Sequence, residues 1–390
     1  MRNTPHKKIA LVHDYLLRFG GAERVLRVMH EMFPDAPIYT VVYDEKFVRA
    51  FFGQAIVQGT FLQRLPLCVR KKYPYFSLLI PTAVEHLDLS EFDIVLSSCS
   101  AFCKGIITSP GTVHICYCHT PVRFLWDWTH PYASDLAKKG VRGLVSKIVL
   151  HLLRFWDQQA ARRVDYFVAN SKHVSSRIKK YYRKDAKVIY PPVSKLNPPI
   201  PYDAPRSAEV FDENGRTCEK PKTYFLIVSQ LRPYKQIDIA IDAFKKLGFP
   251  LIIIGEGNAK KRLMELARGF ENIQFLGFQP DYIVAEYYKN CKALIFPGEE
   301  DFGMTMAEAM LFGKPVLALR KGGAREILVE GLNGEFFEDP HPLVLADGVR
   351  RLLENYNQYS PLVIEKWAEK FSKERFQKQL FEFIEECCKI

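Results

Sequence analysis

Short apolar runs alternate with segments of helical period along most of the chain. In the first half the runs of strand length are Lys8–Val12, Ile38–Val42, Asp93–Ser97, Thr112–Cys116 and Val164–Ala169. In the second half they are Tyr224–Val228, Pro250–Ile254, Ile273–Leu276, Ala293–Phe296 and Pro315–Leu319. Most of them are apolar at successive positions rather than at every second one, so they predict strands buried on both faces. Helix-length segments separate them. That order predicts parallel sheets covered on both sides, and two such series predict two doubly wound, Rossmann-like α/β domains.

The break between the series shows in the composition. Pro191, Pro192, Pro198, Pro199, Pro201 and Pro205 crowd one stretch, and residues 201–222 have almost no apolar periodicity. We read 1–194 as the first domain, 195–222 as linker and loop insertion, and 223–365 as the second domain. Residues 366–390 form a C-terminal helix that either packs on its own domain or crosses back to the first. The helical pattern itself starts near Leu362, with Phe371, Phe376, Leu380 and Phe383 at helical spacing and Ser372 as a candidate N-cap.

A chain of 390 residues with 48% hydrophobic and 25% charged positions can bury two full cores, which excludes a disordered or fibrous protein. The nine cysteines are scattered and odd in number, which predicts free thiols rather than a disulfide framework. Cys116-Tyr117-Cys118-His119 resembles a ligand run, but no second pair follows at zinc-site spacing, so we expect a strand there and no metal. Residues 1–8 are polar and basic and do not read as a secretory leader. The longest later apolar stretch, Leu144–Leu153, is interrupted by Ser146, Lys147 and His151, short of the ~20 residues of a membrane span. The net charge of +11 is unevenly spread. Residues 1–200 hold 29 Lys and Arg against 15 Asp and Glu, and residues 201–390 hold 26 against 29. A basic first half suits an anionic surface, either nucleic acid or the inner face of a membrane.

Four motifs carry candidate chemistry. The first is Val12-His13-Asp14 followed by Arg18-Phe19-Gly20-Gly21-Ala22-Glu23, which reads as strand, loop and helix start. Gly20 and Gly21 let the backbone approach a ligand at a helix N-terminus, where free N–H groups attract phosphate. The same pattern fits a plain strand-to-helix turn. The second is His119-Thr120-Pro121 at a strand end, where open α/β sheets place ligands. Trp126-Asp127-Trp128 nearby fits a carbohydrate wall or a core. The third is the turn Ser229–Lys235, in which Arg232 and Lys235 could neutralise a departing diphosphate or simply be solvated. The fourth, Pro297–Met310, is the most specific. Glu300 lies in a loop, Glu308 lies in the helix that follows, and Phe302-Gly303 forms the tight turn between them. Gly313 ends that helix.

Together these residues resemble glycosyltransferase family 4, with the two-domain GT-B fold. The resemblance rests on Gly-Gly-Ala-Glu (20–23), His119-Thr120-Pro121, Asn170-Ser171, Tyr190-Pro191-Pro192-Val193 and Tyr234-Lys235. It continues through Gly255-Glu256-Gly257, the Glu300/Glu308 pair and Gly322-Gly323. His-Thr-Pro-x-Arg with Trp-Asp nearby is similar to mannosyltransferases of bacterial O-antigen and exopolysaccharide assembly. The resemblance implies retaining transfer of a hexose, mannose from GDP-mannose, onto a lipid-linked or polysaccharide acceptor, without a metal or other cofactor. It implies that Gly20 and Gly21 approach the diphosphate and that His119 bonds the sugar near its 6-hydroxyl. Lys235 and an arginine would clamp the diphosphate, Glu300 the sugar hydroxyls and Glu308 the ribose. Phe302, Gly303, Met304 and Thr305 would meet phosphate or sugar, and Gly277 and Phe278 would border the base.

One position departs from the subgroup. The expected arginine five residues before Lys235 is Gln230, so we assign the role to Arg232, two residues on and on the same face if the segment is extended. A UDP-hexose donor and a non-catalytic scaffold remain the alternative readings. A nucleic-acid partner finds no supporting motif. The basic first half instead predicts a peripheral protein at the inner face of the plasma membrane, touching anionic lipid through Arg70–Phe76, Lys138–Trp156 or Lys179–Lys184.

Overall fold

The computed structural model describes residues 7–71, 77–127, 129, 141–196, 210–211, 217–218 and 221–388. The chain divides into two compact units, Met1–Pro192 with Lys373–Ile390 and Val193–Ser372.

The first unit is built on a parallel sheet of seven strands in the order β3-β2-β1-β4-β5-β6-β7. These are β1 (Ile9–Leu16), β2 (Ile38–Tyr43), β3 (Val57–Gly59), β4 (Ile94–Cys99), β5 (Val113–Cys118), β6 (Tyr166–Ala169) and β7 (Ala186–Val188). Side chains alternate between two cores. Ala10, Val12, Cys116 and Cys118 face one layer, and Leu11, Ile115 and Tyr117 face the other. Cys68, Cys99, Cys103, Cys116, Cys118, Cys291, Cys387 and Cys388 are free thiols, and Cys116 and Cys118 are packing residues.

β1 continues to Leu16 instead of ending at Val12, because its two polar residues are satisfied inside the fold. The Asp14 carboxylate accepts four backbone N–H groups, from Ser100, Ala101, Phe102 and Cys103, at 2.6–2.8 Å. A buried charge held by four donors does not end a strand. The strand order reverses between β1 and β4, which opens a crevice at the C-terminal edge of the sheet.

The second unit has a six-stranded parallel sheet in the order β12-β11-β10-β13-β14-β15. Its strands are β10 (Phe225–Val228), β11 (Leu251–Ile254), β12 (Ile273–Gly277), β13 (Ala293–Phe296), β14 (Val316–Leu319) and β15 (Gly334–Phe337). The switch point lies between β10 and β13. A short antiparallel pair, β8 (Val210–Phe211) with β9 (Thr217–Cys218), falls inside the stretch expected to be linker.

The pattern expected as one C-terminal helix is two helices, Pro361–Ala368 and Lys373–Cys388, joined by a 3₁₀ turn at Glu369–Phe371. The break coincides with the boundary between units, so the crossing helix starts at Lys373 rather than at 366. It buries Phe376, Leu380 and Ile384 in the first unit, with Phe376 edge-on to Tyr117 at 5.6 Å. Phe371 belongs to the second unit. Among the described residues no helix is long and apolar enough to cross a membrane.

Candidate active site

In the second unit, the loops after β10 and β13 meet at the switch point. A Cβ on Gly298 would stand 2.8 Å from the Lys235 Cα, so the two backbones touch there and no larger residue fits. Across this contact Lys235 forms an ion pair with Glu300, and the two side chains are only 16% and 15% exposed. The Glu300 loop is pinned from its other side, where the Gly323 N–H donates to the Glu300 carbonyl at 2.9 Å. Gly303, at φ +97°, turns the chain into the helix Met304–Leu311, and no side chain caps that helix. Its first N–H groups have no intrahelical partner, and Met304 and Thr305 are half-buried.

The expected residues fall into distinct roles here. Lys235, Glu300, Gly303, Met304 and Thr305 come together around the switch point. Glu308 lies one turn into the helix, buried, and accepts the Tyr288 hydroxyl at 3.0 Å. The Phe302 ring packs edge-on against Phe371 at 5.2 Å in the core, so a ligand could meet only its backbone. Arg232 is half-buried in extended backbone between exposed Gln230 and the turn Pro233–Lys235. Among the described residues it has no ion-pair partner. Gly277 ends β12, two strands from β10, and Phe278 beside it is 71% exposed.

In the first unit Gly20 caps the helix Gly21–Met32 without any side chain to cover its first N–H groups. His119 follows β5, the strand next to β4, and is buried. Its Nε2 lies 2.8 Å from Ser98 Oγ. Ser98 Oγ in turn lies 3.2 Å from His13 Nδ1, and His13 Nε2 lies 3.5 Å from the Glu23 carboxylate. Burial alone would lower the His13 pKa, but the hydrogen bond and charge of Glu23, helped by the charge of Asp14 and the backbone of Ser98, raise it above the ordinary 6.5.

The turn after His119 is held by residues distant in sequence. Asn170 Nδ2 donates to the His119 carbonyl at 3.0 Å. Arg177 donates to Thr120 Oγ1 at 2.8 Å and to the Pro121 carbonyl at 3.1 Å, and pairs with Asp127. Trp126 stacks on Tyr181 at 4.9 Å and donates to the buried Asp157, which makes it a packing residue, while Trp128 lies outside the described residues. Sequence reasoning gave no role to Ser98, Arg177 or Tyr288. Each acts on a residue 20 to 85 positions away, so no local spacing marks it.

Two parallel sheets, each with its own switch point, are the two-Rossmann arrangement of the GT-B fold. The family model described as Glycosyltransferase Family 4 matches residues 19–195, and that described as Glycosyl transferases group 1 matches 211–369. The chain belongs to glycosyltransferase family 4. It is 27% identical to the D-rhamnosyltransferase WbpZ of Pseudomonas aeruginosa, over 61% of this chain and 62% of that one. It is also 27% identical to the O-antigen chain mannosyltransferase C of Escherichia coli, over 49% of each. The chain thus spans about half to three fifths of the length of these curated relatives. A crystal structure of Anabaena HepE in complex with UDP and glucose matches the fold with a TM-score of 0.67 at 19% identity, covering 97% of this chain and 99% of that one.

Proposed function

We propose that this protein transfers a hexose, mannose from GDP-mannose, with retention onto a lipid-linked or polysaccharide acceptor of bacterial surface glycan assembly. The observation that carries the reading is the Lys235–Glu300 pair at the β10/β13 switch point, with Glu300 in the loop that leads into a helix with no side-chain cap. A donor diphosphate would draw the Lys235 ammonium from Glu300 and release that carboxylate to the sugar hydroxyls. Lys235, Arg232 and the N–H groups at Met304 and Thr305 would then stabilise the charge that builds as the C1–O bond breaks. Glu308, with Tyr288 holding one oxygen, would take the ribose, and Gly277 and Phe278 would border the base. In the first unit Gly20 and Gly21 would meet the diphosphate and His119 the sugar. The acceptor hydroxyl would attack from the face the diphosphate leaves, giving up its proton to the departing phosphate. The mannose assignment is supported by the His119-Thr120-Pro121-Val122-Arg123 resemblance and by the mannosyltransferase among the two relatives, and a UDP-hexose is the competing donor.

The place of action in this reading is the inner membrane surface. The helix Val141–Arg163 leaves Ile148, Leu152 and Phe155 exposed by 56, 53 and 64% at helical spacing, next to Lys147. Exposed apolar side chains flanked by lysine suit an anionic lipid interface. Of the other two expected patches, one is described only in part. Residues 72–76 lie outside the described residues. In Lys179–Lys184, Tyr182 is buried and Tyr181 donates to Asp127.

Thermal unfolding with GDP-mannose, UDP-glucose, UDP-galactose and UDP-N-acetylglucosamine tests the donor. GDP-mannose should raise Tm most, and Lys235→Ala should abolish the shift. A larger shift with a UDP-sugar would replace the mannose assignment, and a shift with none would favour a scaffold.

A further inference from the structure

The chain of polar groups behind His119 has a use that packing alone does not require. Four groups from four elements line up. His119 follows β5, Ser98 is on β4, His13 is on β1, and Glu23 is in the first turn of the helix Gly21–Met32. Ser98 is fully buried and His13 nearly so. We infer that Glu23, His13 and Ser98 are positioning residues that decide which ring nitrogen of His119 carries its proton. This rests on the reading that His119 meets the donor sugar.

Counting donors and acceptors fixes the argument. The ionised Glu23 carboxylate only accepts, so His13 presents Nε2–H to it. In neutral His13 the other nitrogen, Nδ1, is then an acceptor and takes the Ser98 hydroxyl proton. Ser98 Oγ, with its own proton spent, accepts from His119 Nε2–H. His119 is thereby held as the Nε2–H tautomer, and its Nδ1 is an acceptor. When His13 is protonated, its Nδ1–H donates to Ser98, and the Ser98 hydroxyl turns to donate to His119 Nε2. His119 then stays neutral with its proton on Nδ1.

The proton balance closes without a second buried charge. A proton arriving at His119 Nδ1 lets Nε2 pass its proton to Ser98, and Ser98 passes its own to His13 Nδ1. The charge ends on His13, against Glu23. The groups facing His13 are Glu23 from the helix, Asp14 from its own strand, Ser98 from β4, and Thr40, its register neighbour on β2. Both carboxylates favour the cation, so the switch lies above the ordinary histidine value of 6.5. The same imidazole thus accepts a hydrogen bond at high pH and donates one at lower pH.

Full-length protein with ¹⁵N-labelled histidine tests this directly, with signals assigned through His13→Gln and His119→Gln. We expect His119 to show protonated Nε2 and bare Nδ1 at high pH, and to exchange them at the midpoint at which His13 becomes charged. Glu23→Gln, a change at a partly exposed site, should move that midpoint down. Ser98→Ala should uncouple His119 from His13 and lower kcat about tenfold with little change in the donor KM. Loss of fold in Ser98→Ala would leave Glu23→Gln as the deciding variant. A His119 tautomer that ignores both His13 and Glu23 would overturn the inference, even where His119→Ala abolishes turnover. Full turnover in His119→Ala would instead refute the role of His119 in the reaction, and with it any positioning role for the chain behind it.

Discussion

His114 and His13 lie in the same sheet, yet their surroundings push them in opposite directions. His114 is fully buried on β5 with Ser97 at 2.9 Å, and burial lowers its pKa to about 4. It is neutral in the fold and charges in the unfolded chain near pH 6.5. The unfolded state therefore binds more protons between those values, and stability falls as pH drops from about 6.5 to about 4, by about 3 kcal/mol in all. Denaturant titrations across that range should show the slope, and His114→Gln should flatten it. The raised pKa of His13 works the other way: its contribution is complete below pH 6.5 and is lost as pH rises through its folded pKa. At this scale the sequence is legible where function is local. Glu300, Phe302-Gly303 and Glu308 sit in one loop and helix, so their spacing alone marks a candidate site. Ser98 and Arg177 carry no such mark, because their partners come from other strands and helices. Phe302 is the converse case: the motif puts it among the candidate residues, but its ring fills the core, which leaves only its backbone to a ligand.

Among the elements, the central strands were readable because a parallel sheet buried on both faces demands unbroken apolar runs. The edges were not. β3 and β7 are three residues long and only partly buried, and β15 starts with Gly334-Glu335, where Glu335 is buried against the Tyr359 hydroxyl at 2.6 Å. β1 was cut short for the same reason, since His13 and Asp14 read as loop until their distant partners are seen. The helix Val141–Arg163 offers a test of its own. Replacing Ile148, Leu152 and Phe155 by serine removes exposed apolar area and little packing, so each change should move stability by about 0.5 kcal/mol or less. The triple variant should lose sedimentation with anionic vesicles while keeping its Tm. Undiminished sedimentation would remove this helix from the membrane account.

For the molecule as a whole, two features of the linear chain matter most. One is the asymmetry of charge, which predicts that vesicle binding weakens as salt rises toward physiological strength, where the Debye length is about 8 Å. The other is the return of the C-terminal helix to the first unit. The helical period was visible, but periodicity does not say which core receives a helix, and that choice rests on Phe376, Leu380 and Ile384 meeting Tyr117 and its neighbours. Leu380 is fully buried there. Leu380→Ala should therefore cost about 2–5 kcal/mol of stability, read by denaturation, although it lies far along the sequence from the rest of that unit.

The central claim is that the Lys235–Glu300 pair serves nucleotide-sugar transfer, and turnover tests it most directly. Purified protein would be incubated with each donor while nucleotide release is followed. We predict release from GDP-mannose that falls about a hundredfold or more in both Lys235→Ala and Glu300→Gln, each variant keeping the wild-type unfolding profile. Equal release by wild type and both folded variants, or none by any of them with any donor, would contradict it.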